Sequence, residues 1–392
     1  MNSIELFAGA GGLGIGVSDA GFKPNVVVEW NKHCRNTIQK NRLGFNSRIS
    51  EWPEEIESDV RQVDYSKILS SQIDFVTGGP PCQPFSMGGT HKAQADRRDM
   101  FPEAVRAIRE TKPKAFMFEN VKGLTREAFR GYFEYITLQM RHPYLTAKTD
   151  EDWGDHYVRL QRHHTSHLEC AEDYRVVTQV LNSADYGVPQ KRHRVFFVGF
   201  RSDLNLEWSF PKPTHSNASL LWDQGFKGTY CERHSIKREN LVVSNQVRKT
   251  AKRIWNSLEA PSGLLPWATT RDAIWDLPSP KSTESLHVLN HKKQFGAKAY
   301  PGHTGSPLDE PAKTLKAGVH GVPGGENMLR NKNGSVRYFT VRESARLQTF
   351  PDNFEITGSW SEAMRQLGNA VPVKLANILA TDISAKLNEY LI

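Results

Sequence analysis

Residues 4–16 read IELFAGAGGLGIG, and the way this run is divided decides the fold. Its apolar start passes directly into glycines, with Gly9, Gly11 and Gly14 spaced as GxGxxG. A second apolar run, VVVEW at 26–30, follows and ends on Glu29, about 20 residues after the first glycine. Glycines after a strand allow a tight turn and close backbone approach of a ligand, and a carboxylate at that distance can accept hydrogen bonds from a ribose. The pattern predicts a strand, a nucleoside-binding turn and a helix. A nicotinamide or flavin dehydrogenase and any other nucleoside-binding α/β domain satisfy it equally.

Further apolar runs, IDFVTGG at 73–79, AFMFEN at 115–120 and RVFFVGF at 194–200, are separated by helix-like stretches such as FPEAVRAIRETK and DYRVVTQVLN. Continuous apolar strands between amphipathic helices predict a mainly parallel sheet covered on both faces. Residues 130–173 are polar, His-rich and aromatic without a clear period, which predicts an elaborated connection or small insertion. From about 201 the texture changes to prolines, tryptophans and basic pairs, and after about 337 helical periodicity returns. The expected organisation is an α/β domain made of 1–200 and 337–392, carrying a smaller irregular domain at 201–336.

The 392 residues hold 51 Lys and Arg against 43 Asp and Glu, a net charge of +8. The segment 201–336 contains 19 of the basic and 12 of the acidic residues, so it carries nearly all the excess. A basic surface of this kind attracts a polyanion through phosphate contacts and counterion release. The sequence shows no long apolar span and no leader pattern, which predicts a soluble cytoplasmic protein. Four cysteines are too few for a disulfide framework, and reduced thiols are expected.

One of those cysteines is unusually placed. A cysteine in a core is an inert small hydrophobe, whereas Cys82 sits in GGPPCQPFS at 78–86, among Pro80, Pro81 and Pro84 and just past an apolar strand. Parallel strands present their carboxyl ends to one crevice. Cys82 should therefore meet Glu119 and Asn120, which end the AFMFEN strand, at the same rim as the glycine loop. In QKRHR at 190–194, Gln190, Arg192 and Arg194 alternate, so a strand would point all three to one face.

In combination these stretches resemble the cytosine-C5 DNA methyltransferase family, of the prokaryotic restriction-modification type, along nearly the whole chain. The resemblance rests on FAGAGGLG at 7–14, GGPPCQPFS at 78–86, ENV at 119–121, the QxRxR of 190–194, RESARLQTFP at 342–351 and GNAVPV at 368–373. It implies a Rossmann-like S-adenosylmethionine-dependent methyltransferase domain with a smaller target-recognition domain. It also implies methylation of C5 in a cytosine flipped out of a specific double-stranded DNA sequence, with S-adenosylhomocysteine as the second product. Cys82 would be the nucleophile that adds to C6, with Glu119, Asn120, Arg192 and Arg194 around the base.

The resemblance further implies a cofactor site of Phe7, Ala8, Gly9, Gly11, Gly12, Leu13, Glu29, Trp30, Asp59, Val60, Pro81, Met100, Asn369 and Val371, with Asp64 as a substitute for Asp59. Ser86, Gly88, Arg97 and Arg98, in and before the lid-like run GGTHKAQADRRDM at 88–100, and Thr314 with Leu315 in PAKTLKAG, would contact DNA. The first motif begins at residue 4, so no N-terminal regulatory domain is expected. A monomer acting apart from a cognate restriction endonuclease is the expected partnership. Rival readings are methylation of transfer-RNA cytosine and a DNA-binding protein without turnover. HHTSHLEC at 163–170 offers His163, His164, His167 and Cys170 at ligand-like spacing, but the implied reaction calls for no metal and none is expected.

Overall fold

The apolar runs pair as expected because each is too short for a stable helix and rich in β-branched and aromatic side chains. A computed structural model describes residues 1–44, 49–53, 59–67, 72–81, 99–166, 170–255, 263–301, 304–317 and 327–391. Its central sheet contains β1 (Asn2–Leu6), β2 (Lys23–Val28), β3 (Phe75–Gly78), β4 (Ala115–Val121), β5 (Tyr174–Asn182) and, after the short β6 (Gln190–Lys191), β7 (His193–Arg201). The order is β2-β1-β3-β4-β7-β5. The four strands β2, β1, β3 and β4 are mutually parallel, and only β7 runs against its neighbours.

Helices α1 (Gly12–Asp19), α2 (Lys32–Arg42), α3 (Phe101–Thr111), α4 (Arg130–Arg141) and α5 (Trp153–Thr165) surround the sheet. Alternation along the strands divides the core. Phe116, Phe118 and Phe197 join Phe101 and Ile108 of α3 and Ile136 and Met140 of α4 on one face. Met117, Phe196 and Val198 join Leu13 and Val17 of α1 and Leu375, Leu379 and Ile383 of the C-terminal helix Val373–Leu391 on the other.

Two expectations change. DYRVVTQVLN is not helical: its Val176, Val177, Thr178 and Val180 favour an extended backbone, and Tyr174–Asn182 pairs with β7 from Tyr174↔Arg201 to Asn182↔His193. Nor is 130–173 aperiodic throughout, since α4 buries Tyr132, Ile136 and Met140 at helical spacing against the sheet.

The chain does return to its beginning. A Cβ on Gly12 would lie 2.4 Å from the Val371 carbonyl oxygen, and one on Gly16 would lie 2.5 Å from that of Val373 and 2.6 Å from Ala376 Cβ. These two glycines, one turn apart, let the C-terminal segment lie against bare backbone. On α2, Thr37 Oγ1 donates to Gln366 Oε1 at 2.7 Å and Asn41 Nδ2 to the Glu355 carbonyl at 2.7 Å.

The segment 201–336 has short helices, two- and three-residue strands and a small apolar cluster of Leu220, Tyr230 and Leu241. A polar hub holds much of it. Fully buried Asp309 accepts from Arg271 Nε at 2.6 Å and Nη2 at 3.0 Å, from the Tyr230 hydroxyl at 2.7 Å and from the Val242 N–H at 2.6 Å. Ile274, Ala312, Leu315 and Leu329 instead join a core with Ala345, Leu347 and Phe350, so the later part of this segment packs with the returning chain.

The close approach at α1 gives a stability prediction. Gly16→Ala should lower unfolding free energy by about 1–3 kcal/mol in urea melts, through overpacking against backbone that has no rotamer to change. Gly131→Ala on α4, where an added Cβ meets nothing within 4 Å, should be neutral or gain up to about 1 kcal/mol. Equal effects at the two positions would contradict the packing argument.

Candidate active site

The glycine loop leaves β1 with Phe7 at φ 55°, Gly9 at 58° and Gly11 at 88°. Positive φ is unremarkable for glycine but strained for a bulky residue, and such strain persists where surrounding structure imposes it. Glu29 lies across this loop just past β2. Its Oε2 accepts from the Gly9 N–H at 2.7 Å and its Oε1 from the Asn31 N–H at 2.6 Å. Burial raises the Glu29 carboxyl above its ordinary pKa, opposed by those two N–H groups and by the charges of Arg35 and Arg365. Next to it Trp30 is 71% exposed, and an added Cβ at Gly9 meets nothing within 4 Å. A fixed carboxylate, an open glycine and a solvent-facing indole are groups that could hold a nucleoside.

The other proposed cofactor residues divide by what they can present. Ala8 is buried, with its N–H on the Val28 carbonyl at 3.1 Å. Val371 covers the Cα face of Gly12 and the Leu13 side chain lies in the core, so these two residues can present only backbone to a ligand. Asp59 Oδ2 accepts from Arg61 Nε at 2.9 Å, which holds its carboxyl below the usual pKa. Val60 is a core residue. Asp64 is exposed and bonded to Ser66 and Lys67. Val371 is buried and Asn369 exposed, at the end of the helix Trp360–Asn369. Pro81 is exposed, and its carbonyl accepts from the Met100 N–H at 3.3 Å.

At the same end of the sheet, β4 delivers Glu119 and Asn120 to opposite faces. Asn120 Nδ2 donates to the Pro80 carbonyl at 2.9 Å and Oδ1 accepts from the Val121 N–H at 2.8 Å. A Cβ on Gly79 would lie 3.5 Å from Glu119 Oε2. The chain therefore runs past the carboxylate at Gly79 and is held by the amide at Pro80. Cys82, Ser86, Gly88, Arg97 and Arg98 lie outside the described residues.

On β7, Arg194 faces Val121 in register and reaches diagonally to the acid, with Nε 2.8 Å from Glu119 Oε1. The contact is an ion pair without hydrogen-bond alignment: Glu119, 8% exposed, leaves Oε1 without a hydrogen-bond partner among the described residues. Arg192 is fully buried and its Nε is likewise unpaired among the described residues. Burial and then the charge of Arg194 press its pKa down, and the Glu119 carboxylate opposes them.

Gln190 faces another way, into a buried amide chain. Its Oε1 accepts from the Leu315 N–H at 2.9 Å, and its Nε2 donates to Gln348 Oε1 at 3.0 Å. Gln348 in turn donates to the Ala370 carbonyl at 3.1 Å. Leu315, expected at DNA, is 1% exposed within the core and is corrected to a structural role. The Thr314 hydroxyl donates to the Lys191 carbonyl at 2.7 Å.

The comparisons with known proteins fit this arrangement. The model of the C-5 cytosine-specific DNA methylase family matches residues 1–142 and 156–385. The chain belongs to this family. The type II methyltransferase M.PspPI of Psychrobacter sp. is 31% identical over 98% of the chain and 79% of its own length. M.NgoMIV of Neisseria gonorrhoeae is 28% identical over 98% and 97%, and M.HhaI of Haemophilus parahaemolyticus 27% over 99% and 95%. Among solved structures, S. pombe Dnmt2 methyltransferase has a TM-score of 0.56 at 16% identity, covering 100% of both chains. That likeness is one of fold.

Several residues of this family member escaped the sequence reading. Glu5, inside β1, is fully buried and bonded to the Thr77 hydroxyl and the Gly14 N–H, so it ties β3 and α1 beneath the glycine loop. Trp52 packs against Gly11 and Gly14. Arg106 of α3 donates to the carbonyls of Val60 at 2.7 Å and Val63 at 3.0 Å, fixing the segment after Asp59. A charged residue within an apolar strand was the available signal for Glu5. The others depend on tertiary approach.

Desolvation pushes Glu5 up from 4.5 to about 8. The folded state retains this proton where the unfolded chain releases it, so its contribution to stability declines as pH rises from about 4.5 to about 8 and is level above. Glu5→Gln should therefore gain stability relative to the unsubstituted protein between about pH 5 and about pH 8. Urea melts at the two pH values check this, and a pH-independent difference would refute it.

Proposed function

We propose that the chain transfers a methyl group from S-adenosylmethionine to C5 of a cytosine turned out of a specific double-stranded DNA sequence, as the modification enzyme of a restriction-modification system. The observation that carries this reading is the meeting, at one end of the sheet, of a buried carboxylate in contact with Arg194 and the chain leading into Cys82. The nucleoside-shaped cradle of Glu29 and the glycine loop supports it from the ends of β1 and β2.

C5 of cytosine is a poor nucleophile until C6 is attacked. The Cys82 thiolate adds to C6, opening the C5–C6 double bond, while Glu119 places a proton at N3 and Arg194 holds O2. Covalent attachment thus divides one difficult step into easier ones. Bound S-adenosylmethionine supplies an electrophilic methyl group and leaves as S-adenosylhomocysteine. Loss of the C5 proton then restores the double bond and expels the thiolate, and N3 returns its proton to Glu119. A free thiol has a pKa of about 8.5, so guanidinium charge close to the Cys82 sulfur would favour the thiolate. Asn120 keeps the Pro80 backbone, and with it the approach to Cys82, in place. Arg192 orients the network around Glu119.

A stacked base cannot offer C6 to a thiol, so the cytosine leaves the helix at a cost of a few kcal/mol. Residues 201–336 are the target-recognition region, where basic side chains position the duplex and others read base edges. Exposed Phe226, Trp275 and Phe295 there, with Lys293 Nζ 4.1 Å from the Phe295 ring centre, support a contact surface. Among the described residues no helix is long and apolar enough to cross a membrane. The enzyme works as a cytoplasmic monomer beside a separately acting endonuclease.

A duplex carrying 5-fluorocytosine at the target position should trap a denaturation-stable protein–DNA complex, and Cys82→Ala should abolish it. Labelled methyl groups should enter duplex DNA and not transfer RNA. Glu119→Gln should slow single-turnover methylation by about 10²–10⁴-fold with smaller effects on DNA binding. Trapping by Cys82→Ala, or preferential labelling of RNA, would overturn the reading.

A further inference from the structure

The opposite end of the sheet holds a second group of chemically capable side chains. β5 runs parallel to β4, so Asp173, immediately before β5, lies at the end away from Glu119. His142 follows the last turn of α4, and His163 and His164 lie in the last turn of α5. His142 Nδ1 is 2.7 Å from Asp173 Oδ1, and its Nε2 is 3.1 Å from His164 Nδ1. The His142 and His163 rings stand at 83° with centres 4.9 Å apart. One donor atom from each of His142, His163 and Asp173 falls within 4.8 Å of the others. The Cys170 N–H donates to Asp173 Oδ2 at 3.1 Å.

Two imidazoles and a carboxylate form a donor set suited to zinc. They come from three chain segments, and two of them, His142 and Asp173, are buried. The family model passes over residues 143–155, the connection between His142 and the body of α5, so the cluster joins this chain's own elaboration to the shared fold. Binding closes the 4.8 Å spread toward about 3.4 Å, the edge of a tetrahedron with bonds of about 2.1 Å.

We propose that His142, His163 and Asp173, with water in the fourth position, bind one zinc ion that pins α5 and its preceding loop to the sheet. Each histidine contributes one ring nitrogen and releases any proton carried there to solvent, and Asp173 contributes a carboxylate oxygen. The sequence spacing of HHTSHLEC alone does not reveal the site, because two of its ligands lie outside that run.

The test uses the full chain, stripped with chelator and dialysed against zinc, with metal content measured by mass spectrometry and affinity by calorimetry. One zinc per chain is expected, with affinity reduced about 100-fold or more in His163→Gln, a ligand on the half-buried side of α5. Zinc should raise Tm in the unsubstituted protein and leave that of His163→Gln unchanged. Cobalt in place of zinc should give a tetrahedral visible spectrum, which tests the site even if Asp173→Asn fails to fold. Substoichiometric zinc in the unsubstituted protein, or equal retention by His163→Gln, would overturn the proposal and leave a hydrogen-bonded histidine cluster. DNA methylation is a separate readout, so its failure leaves the metal result intact.

Discussion

The contact on which the architecture rests is the one between bare backbone on α1 and the carbonyl oxygens of Val371 and Val373. Any side chain at Gly12 or Gly16 would hold the C-terminal helix away. Without that approach the returning chain could not bring Gln348 to Gln190, and the buried amides linking Leu315, Gln190, Gln348 and Ala370 would lose their partners. Buried amides left unpaired are expensive, so these motifs, far apart in sequence, stand or fall together. The same glycines that suggested a ligand turn therefore have divided duties. Gly9 and Gly11 shape the loop with positive φ, whereas Gly12, Gly14 and Gly16 make room for other parts of the protein.

Much of this was legible in the sequence because it is local. Apolar runs ending in IDFVTGG and AFMFEN gave both the strands and the rim on which Glu119 and Asn120 stand, and the position of Glu29 after β2 followed from the nucleoside pattern. What was not legible depends on tertiary context. Tyr174–Asn182 mixes polar and apolar residues in a way that suits either period, and its pairing with β7 decides for a strand. The burial of Leu315 follows from docking on Gln190, which no spacing announces. His142 and Asp173 are separated by an entire helix and become neighbours only when α4, α5 and β5 pack. The clearest expectation that the structure does not reach is Cys82 itself, whose surroundings are described up to Pro81 on one side and from Asp99 on the other.

The two regions of the molecule are held together by different physics. Around the sheet, aromatic and aliphatic side chains alternate between two extensive cores. In the earlier part of 201–336 the apolar cluster is small, and the carboxylate of Asp309 takes over by gathering Arg271, Tyr230 and Val242. Directional bonds fix position more narrowly than apolar contact, while surface side chains away from the hub remain free to vary. Lys191, next to the QxRxR arginines, reaches Glu310 at 3.1 Å and couples this region to β6.

The pairing of β4 with β7 sets a parity rule. Glu119 and Asn120 are adjacent and point to opposite sides of the sheet, the acid toward Arg194 and the amide toward Pro80. Sliding β4 by a single residue would exchange their sides, setting a carboxylate against a carbonyl and an amide against a guanidinium. An insertion or deletion between Ala115 and Val121 would therefore misplace both groups at once.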